Sequence, residues 1–179
     1  GIDDDTFAKI VACIRIAVPY TGMIVSTRES ADCRKKLLEL GISQVSGGSK
    51  TSVGGYFQPM PEKEDSAQFD VSDRRPLDEV IKWLMELGYL PSFCTACYRN
   101  GRTGDRFMEI CKDKQIHNFC HPNAILTLKE YLEDYASPET KVVGEKLIAK
   151  EQRTLECSEG VKLKVAEDLE KIEKGGRDF

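Results

Sequence analysis

The sequence predicts an α/β fold whose two short strands sit between helices, followed by a mostly helical remainder that carries most of the cysteines. Apolar residues recur at helical spacing ahead of two short β-branched runs, with brief connections between them, which is the rhythm of a parallel α/β unit. After residue 75 the apolar residues keep helical spacing only. Three of the seven cysteines, Cys94, Cys97 and Cys120, fall in a stretch poor in any such periodicity.

Phe7, Ile10, Val11, Ile14 and Val18 predict an amphipathic helix from Asp4 to about Ile16. Pro19 ends it, because proline has no N–H to donate and disfavours helix in the residue before it. The run Gly22-Met23-Ile24-Val25-Ser26 predicts a buried strand. In the second helix Ser30 is the expected N-cap, Cys33, Leu37 and Leu40 share one face, and Gly41 closes it. Ile42 to Val45 predicts a second strand that runs into Ser46-Gly47-Gly48-Ser49. Two strands cannot form a parallel sheet covered on both faces, so the missing strands are expected in a longer chain or in another polypeptide.

Residues 54–75 are expected to form a loop, with Pro59, Pro61 and an acidic run. Leu77, Val80, Ile81, Leu84 and Leu87 predict a helix ending at Gly88. The cysteine segment runs from Pro91 to His121 and offers few apolar residues to hold it, so it is expected to be loose without metal. Three helical patterns follow, through Ala124, Leu128, Tyr131, Leu132 and Tyr135, then Val143, Leu147 and Ile148, then Val161, Val165, Leu169 and Ile172. The expected organisation is residues 1–55 as the α/β part, 56–90 as connecting loop and helix, and 91–179 as a helical, cysteine-bearing domain.

The net charge of −4 and the interleaving of Lys and Arg with Asp and Glu leave no basic face for nucleic acid. No apolar run is long enough for a membrane span, and the N-terminus lacks the regions of a signal peptide. A cytoplasmic location is expected, where cysteines stay reduced and metal or redox chemistry explains them better than a disulfide framework.

Cys94 and Cys97 form a Cys-x2-Cys pair, and Cys120 follows after 22 residues. Thiolates at this spacing suit an iron–sulfur cluster, a zinc site completed by Cys111, His117 or His121, or a redox pair. The spacing alone leaves these open. Cys13 and Cys33 are expected in the core, Cys111 in core packing, and Cys157 without a role. His121, adjacent to Cys120, is expected to start a helix or make a local hydrogen bond rather than share a metal.

The stretch Phe93-Cys94-Thr95-Ala96-Cys97-Tyr98-Arg99-Asn100-Gly101-Arg102-Thr103-Gly104-Asp105-Arg106-Phe107-Met108 resembles the auxiliary-cluster motif of the HydG family, radical-SAM tyrosine lyases of iron–iron hydrogenase maturation. Cys120 falls where that family's pattern has its third ligand. Ser46 to Tyr56 resembles the last barrel strand and loop of that group, and Val25 to Glu29 the strand before it. The resemblance implies the last two βα units of a (β/α)8 radical-SAM barrel followed by a mostly helical C-terminal domain. It implies an auxiliary 4Fe-4S cluster with an additional iron on Cys94, Cys97 and Cys120.

In that family tyrosine is cleaved to p-cresol and dehydroglycine. The latter then yields carbon monoxide and cyanide for hydrogenase assembly, together with other hydrogenase maturation proteins. S-adenosylmethionine and a second 4Fe-4S cluster are implied for the complete protein. The Cys-x3-Cys-x2-Cys motif for that second cluster is absent from these residues, so this chain alone is expected to be inactive.

Residues past barrel strand ends carry substrate contacts, so the resemblance offers Ser26, Arg28, Ser46 and Ser49 as substrate-binding residues. Arg28 would take the tyrosine carboxylate, or instead pair with Glu29 or Asp32. The glycine turn at 46–49 would present amides to an anion, and Arg99, Arg102 and Arg106 would line an anion path. The competing class is a zinc-stabilised structural or interaction module on the same cysteines.

Overall fold

The structure is a computed structural model and describes residues 1–52, 54–57 and 69–177. The chain divides into two units, residues 1–80 and 81–179. None of the described helices is long and apolar enough to cross a membrane.

In the first unit, helix α1 (Asp4–Ala17) starts where Asp3 accepts a hydrogen bond from the Thr6 amide. Asp4 and Asp5 favour the positive end of its dipole. It stops two residues before Pro19. Ala8 and Val11 are buried, whereas Ile10 and Ile14 of the predicted apolar stripe stay exposed.

Cys13 is exposed rather than in the core. Two residues beyond Val11, it lies about 200° further round the helix, away from the buried line.

Strands β1 (Ile24–Val25) and β2 (Gln44–Val45) pair in parallel, with Ile24 opposite Gln44 and Val25 opposite Val45. Both are shorter than the β-branched runs suggested. Val25 is buried, but Ile24 is 66% exposed, although parallel strands are normally covered on both faces.

Between the strands, Ser30 caps α2 (Ala31–Glu39) by accepting from the Cys33 amide, and Cys33, Leu37 and Leu38 are buried. Gly41 reverses the chain at φ 96°, a backbone angle open to glycine. Its carbonyl accepts from Arg15, which also reaches the carbonyls of Pro19 and Thr21.

Arg34 on α2 is wholly buried. It pairs with Asp73 and donates to the Ser46 carbonyl just past β2. Asp73 takes three further bonds from Arg75, from its amide at 3.2 Å and its side chain at 2.9 and 2.7 Å, and its own amide donates to the Thr27 carbonyl at 3.0 Å. These bonds hold the ends of both strands and residues 73–75 together. The described part of residues 54–75 contains no helix or strand. The prolines and acidic run expected in that loop lie outside the described residues.

Helix α3 (Leu77–Glu86) ends at a left-handed Gly88, φ 85°. The division between the units falls within it. The second unit is built on α6 (Cys120–Asp134), α7 (Pro138–Thr154) and α8 (Glu159–Glu173). Ile125, Leu128 and Leu132 of α6 lie in one core with Leu147 and Ile148 of α7 and Val165, Leu169 and Ile172 of α8. Ser137 and Ser158 cap α7 and α8 by accepting from the Thr140 and Val161 amides.

Lys129 is buried on α6. Burial works against its charge, yet three glutamates more than offset this and raise its pKa: Glu133 on α6 at 3.0 Å, Glu145 on α7 at 2.6 Å and Glu173 on α8 at 2.9 Å.

Gly144 lets α7 approach α6: a Cβ there would lie 2.4 Å from Leu132 Cδ1, and Leu132 is 1% exposed and has little room to yield. Gly144→Ala should therefore destabilise the protein by about 1–3 kcal/mol. Gly160→Ala, where no atom lies within 4 Å, should be neutral or stabilising by up to about 1 kcal/mol. Urea unfolding of both variants checks this, and equal stability would mean that the helices do not approach so closely.

The Arg34–Asp73 pair carries its own prediction. Asp73→Ala leaves a buried guanidinium uncompensated and should cost about 3–5 kcal/mol. Arg75 hydrogen bonds, opposed by burial and joined by the Arg34 charge, hold the Asp73 carboxyl below the usual range. The stability this supplies is complete above the ordinary carboxylate range and is lost as pH falls through the lowered value. Asp73→Asn should shrink the difference in unfolding free energy between pH 7 and pH 3, measured by denaturant titration.

Candidate metal centre

The cysteine segment leaves the helical core at Pro91, which is buried. Phe93 stacks on Tyr131 of α6, with ring centroids 5.1 Å apart and planes 17° apart, and its amide donates to Thr127 Oγ1 at 3.3 Å. The peptide entering Cys94 is thus pinned to the side of α6.

Cys94 Sγ accepts from the Ala96 amide at 3.5 Å. Cys97 lies in α4 (Ala96–Arg99), a single turn. Its carbonyl accepts from the Arg102 amide at 2.8 Å, and Gly101, at φ 60°, reverses the chain there.

Helix α5 (Gly104–Lys112) and a 3₁₀ turn (Gln115–Asn118) complete the loop. None of α4, α5 and the 3₁₀ turn contains a buried residue. Asn118 fastens the far end by accepting from the Ser158 amide at 3.2 Å, at the start of α8.

Cys120 is the first residue of α6, and no side chain caps that terminus. The first N–H groups of a helix lack intrahelical partners and form its positive end, where a thiolate is stabilised. Although the residue is exposed, its thiol is pushed up chiefly by loss of solvent and then by Cys97, Cys94 and Cys111, with Arg102 acting in the opposite sense. Cys97 and Cys94 thus lie near enough to Cys120 to act on its charge, as does Cys111, which was expected in core packing and is half-buried.

Arg102 lies between the two cysteine-bearing segments, its guanidinium 4.9 Å from the Phe119 ring centroid, and its Nε is buried without a hydrogen-bond partner among the described residues. Thiols near one another beside an unpartnered cationic N–H are donors that an anionic metal–sulfur centre could take.

The arrangement is less suited to one zinc ion. Zinc bonded tetrahedrally to sulfur at about 2.3 Å draws its ligands close together. Among the described residues, one group of three His, Cys, Asp or Glu ligand atoms lies within 4.8 Å of one another, and it is Asp4, Glu29 and Cys33 in the other unit. His121, as expected, begins the helix and bonds outward, its Nε2 2.8 Å from Glu151 Oε2. His117 is exposed.

The candidates near the strand ends lie in the first unit. Arg28 is exposed and its guanidinium carbon sits 4.0 Å from the Phe69 ring centroid, with no ion pair to Glu29 or Asp32 among the described residues. Its amide donates to Ser26 Oγ at 3.2 Å. The Ser46 amide is already committed to Val25 O and the Ser46 carbonyl to Arg34. Gly47 and Gly48 press on the start of α3, where added Cβ atoms would meet Leu77 at 3.1 and 3.2 Å. The turn therefore has a packing reason for its glycines. Ser49 is half-buried, and Arg99 and Arg106 are exposed.

Residues 2–90 match the model of the Biotin and Thiamin Synthesis associated domain. The chain is 36% identical over 75 residues to 2-iminoacetate synthase of Escherichia coli K12, covering 42% of this chain and 19% of that protein. It is 33% identical over 90 residues to the Salmonella typhimurium protein of the same name, covering 50% and 23%.

Among solved structures, that of HydG, a maturase of the [FeFe]-hydrogenase, matches with a TM-score of 0.90 and 52% identity over 99% of this chain and 38% of that one. HydG from Carboxydothermus hydrogenoformans matches with a TM-score of 0.69 and 37% identity over 94% and 34%. The chain thus spans well under half the length of each of these relatives.

The convergence of thiols generates a direct expectation. After anaerobic supply of iron and sulfide, Cys94→Ala, Cys97→Ala and Cys120→Ala should each lower bound iron by at least about tenfold, because ligand loss exceeds the effect of an outer-shell change. Cys13→Ala and Cys33→Ala should leave it bound. Iron and sulfide analysis reads both, and a loss at Cys111 with none at Cys120 would reassign the third donor. In metal-free protein, amides of residues 94–119 should exchange ahead of those of α6, α7 and α8.

Proposed function

We propose that this chain, which belongs to the HydG family, is the part of a radical-SAM tyrosine lyase that holds the auxiliary 4Fe-4S cluster, on Cys94, Cys97 and Cys120. The observation that carries this reading is the position of Cys120 at the uncapped head of α6, with Cys94, Cys97 and Arg102 near enough to act on its thiol and the Arg102 Nε unpartnered among the described residues.

Each ligand has its own support. The Ala96 amide donates to the Cys94 sulfur, the turn closed by the Arg102 amide fixes Cys97, and Cys120 stands at the positive end of α6, where an anionic centre is accommodated. Neither neighbouring histidine competes, since His121 is held by Glu151 and His117 faces solvent. When bound, a cluster with three thiolates supplies an open iron position for the additional iron and for carbon monoxide and cyanide made from dehydroglycine.

Residues 1–55 are, on this reading, the last two βα units of the (β/α)8 barrel. The exposed faces of Ile10, Ile14 and Ile24 are what further barrel strands would cover. Arg28 stands just past β1 without a carboxylate partner among the described residues, which suits it to the tyrosine carboxylate. Ser26 lies beside it, and Ser46 and Ser49 lie past β2. S-adenosylmethionine and the second cluster belong to a part of the protein outside these residues, because the Cys-x3-Cys-x2-Cys motif does not occur in them. The products would pass to other hydrogenase maturation proteins in the cytoplasm.

Two clusters with separate tasks predict a split phenotype. In the protein carrying both, Cys94→Ala and Cys97→Ala should leave p-cresol formation from tyrosine within about threefold of wild type while abolishing iron-bound cyanide. Mutations at a site that acts after the first bond cleavage leave that earlier step intact. Residues 1–179 alone should release no p-cresol. Measuring both products in one sample decides the matter: their joint loss, with fold and first cluster intact, would end the two-site reading.

A further inference from the structure

We infer that Arg102 is the positioning residue of the cysteine centre, donating through its buried Nε to the sulfur atoms held there and balancing their negative charge. This rests on the reading that Cys94, Cys97 and Cys120 hold an iron–sulfur cluster.

Three observations carry it. The Arg102 amide donates to the Cys97 carbonyl at 2.8 Å, so its backbone is bound to the first ligand segment. Its guanidinium lies 4.9 Å from the ring centroid of Phe119, the residue before Cys120, so its side chain reaches the second. One residue thus bridges two segments that are otherwise joined through α5 and the 3₁₀ turn, neither of which has a buried residue.

The third observation is the Nε itself. A buried charged donor without a partner is costly, and such groups are rare unless a ligand or water completes them. Arg102 takes part in none of the ion pairs found among the described residues, and it lies near enough to Cys120 to act on its thiol, as Cys97 and Cys94 do. Arg99 and Arg106, the other arginines of the motif, are exposed and lack this setting.

Hydrogen bonds to the sulfurs and nearby charge are the means by which a protein sets a cluster's reduction potential. One-electron reduction makes a thiolate-ligated cluster more negative, so a fixed cation with an aimed N–H favours the reduced form. The competing role for Arg102 is packing on Phe119 through a cation–π contact alone. Lysine separates the two roles, because it keeps the charge and can lie over the ring but has no planar fork and no Nε.

The test uses the protein carrying this sequence, supplied anaerobically with iron and sulfide and poised with dithionite and redox mediators. The ratio of reduced to oxidised auxiliary cluster is read by electron paramagnetic resonance in wild type, Arg102→Met, Arg102→Lys and Arg106→Met. At one fixed potential Arg102→Met should lower the ratio by about tenfold, on the scale of outer-shell effects at metal sites. Arg102→Lys should recover part of it and Arg106→Met should match wild type.

A wild-type ratio in Arg102→Met with iron retained would overturn the inference and leave packing as the role. Should Arg102→Met fail to hold iron or to fold, Arg102→Lys decides: an altered ratio supports the inference, and a wild-type ratio overturns it. Wild-type protein that takes up zinc in place of iron and sulfide would instead overturn the cluster reading on which the inference stands.

Discussion

Burial of helix α6 is the constraint on which the second unit and its cysteine centre both depend. Ile125 and Leu128 are completely covered, and the Lys129 ammonium collects a carboxylate from each of the three long helices. A helix held this way cannot tilt or slide without breaking the core and leaving a buried charge uncompensated. Its first residue is Cys120, so the position of that thiol follows from the packing of side chains one to three turns away. The same helix receives Phe93 through Tyr131 and Thr127, which fixes the chain entering Cys94. Both ends of the site are therefore attached to one rigid element, as a preorganised ligand set requires.

Between those ends the structure is of the opposite kind. Helices α4 and α5 and the 3₁₀ turn bury nothing and rest on short-range bonds and on the Asn118 contact to α8. Loss of solvent first, and then the neighbouring thiols, shift Cys120 towards its protonated form. A metal centre offsets that shift and releases the protons, so binding and ordering of the loop are one equilibrium. The frame supplies position, and the bound centre supplies cohesion.

Local chemistry was legible in the sequence, and long-range partnership was not. Ser30 and the left-handed Gly41 and Gly88 stand where caps and stops were expected, because capping depends on residues three or four apart. The three long helices follow their apolar spacing for the same reason. Cys13 was misplaced because periodicity gives a face but not its width, and the buried line of α1 is narrow. Arg34 and Asp73 are 39 residues apart, and nothing local marks either as buried. The spacing of Cys94, Cys97 and Cys120 identified a metal-binding pattern without separating cluster from zinc. That separation needs the breadth of the site and the fate of the neighbouring histidines, and both are tertiary facts.

Three arginines show how environment, rather than residue type, sorts structure from site. Arg34 is buried against a carboxylate and a carbonyl, so its charge and donors are spent within the fold. Arg28 is exposed over an aromatic ring, where its charge costs little and remains available to an anion. Arg102 has a buried Nε without a hydrogen-bond partner and takes part in no ion pair among the described residues. Burial would be favourable for such a group only if something anionic and hydrogen-bond-accepting occupied the space it faces. Cys120 lies near enough to Arg102 for each to act on the other's charge, and sulfur carrying negative charge would meet both requirements.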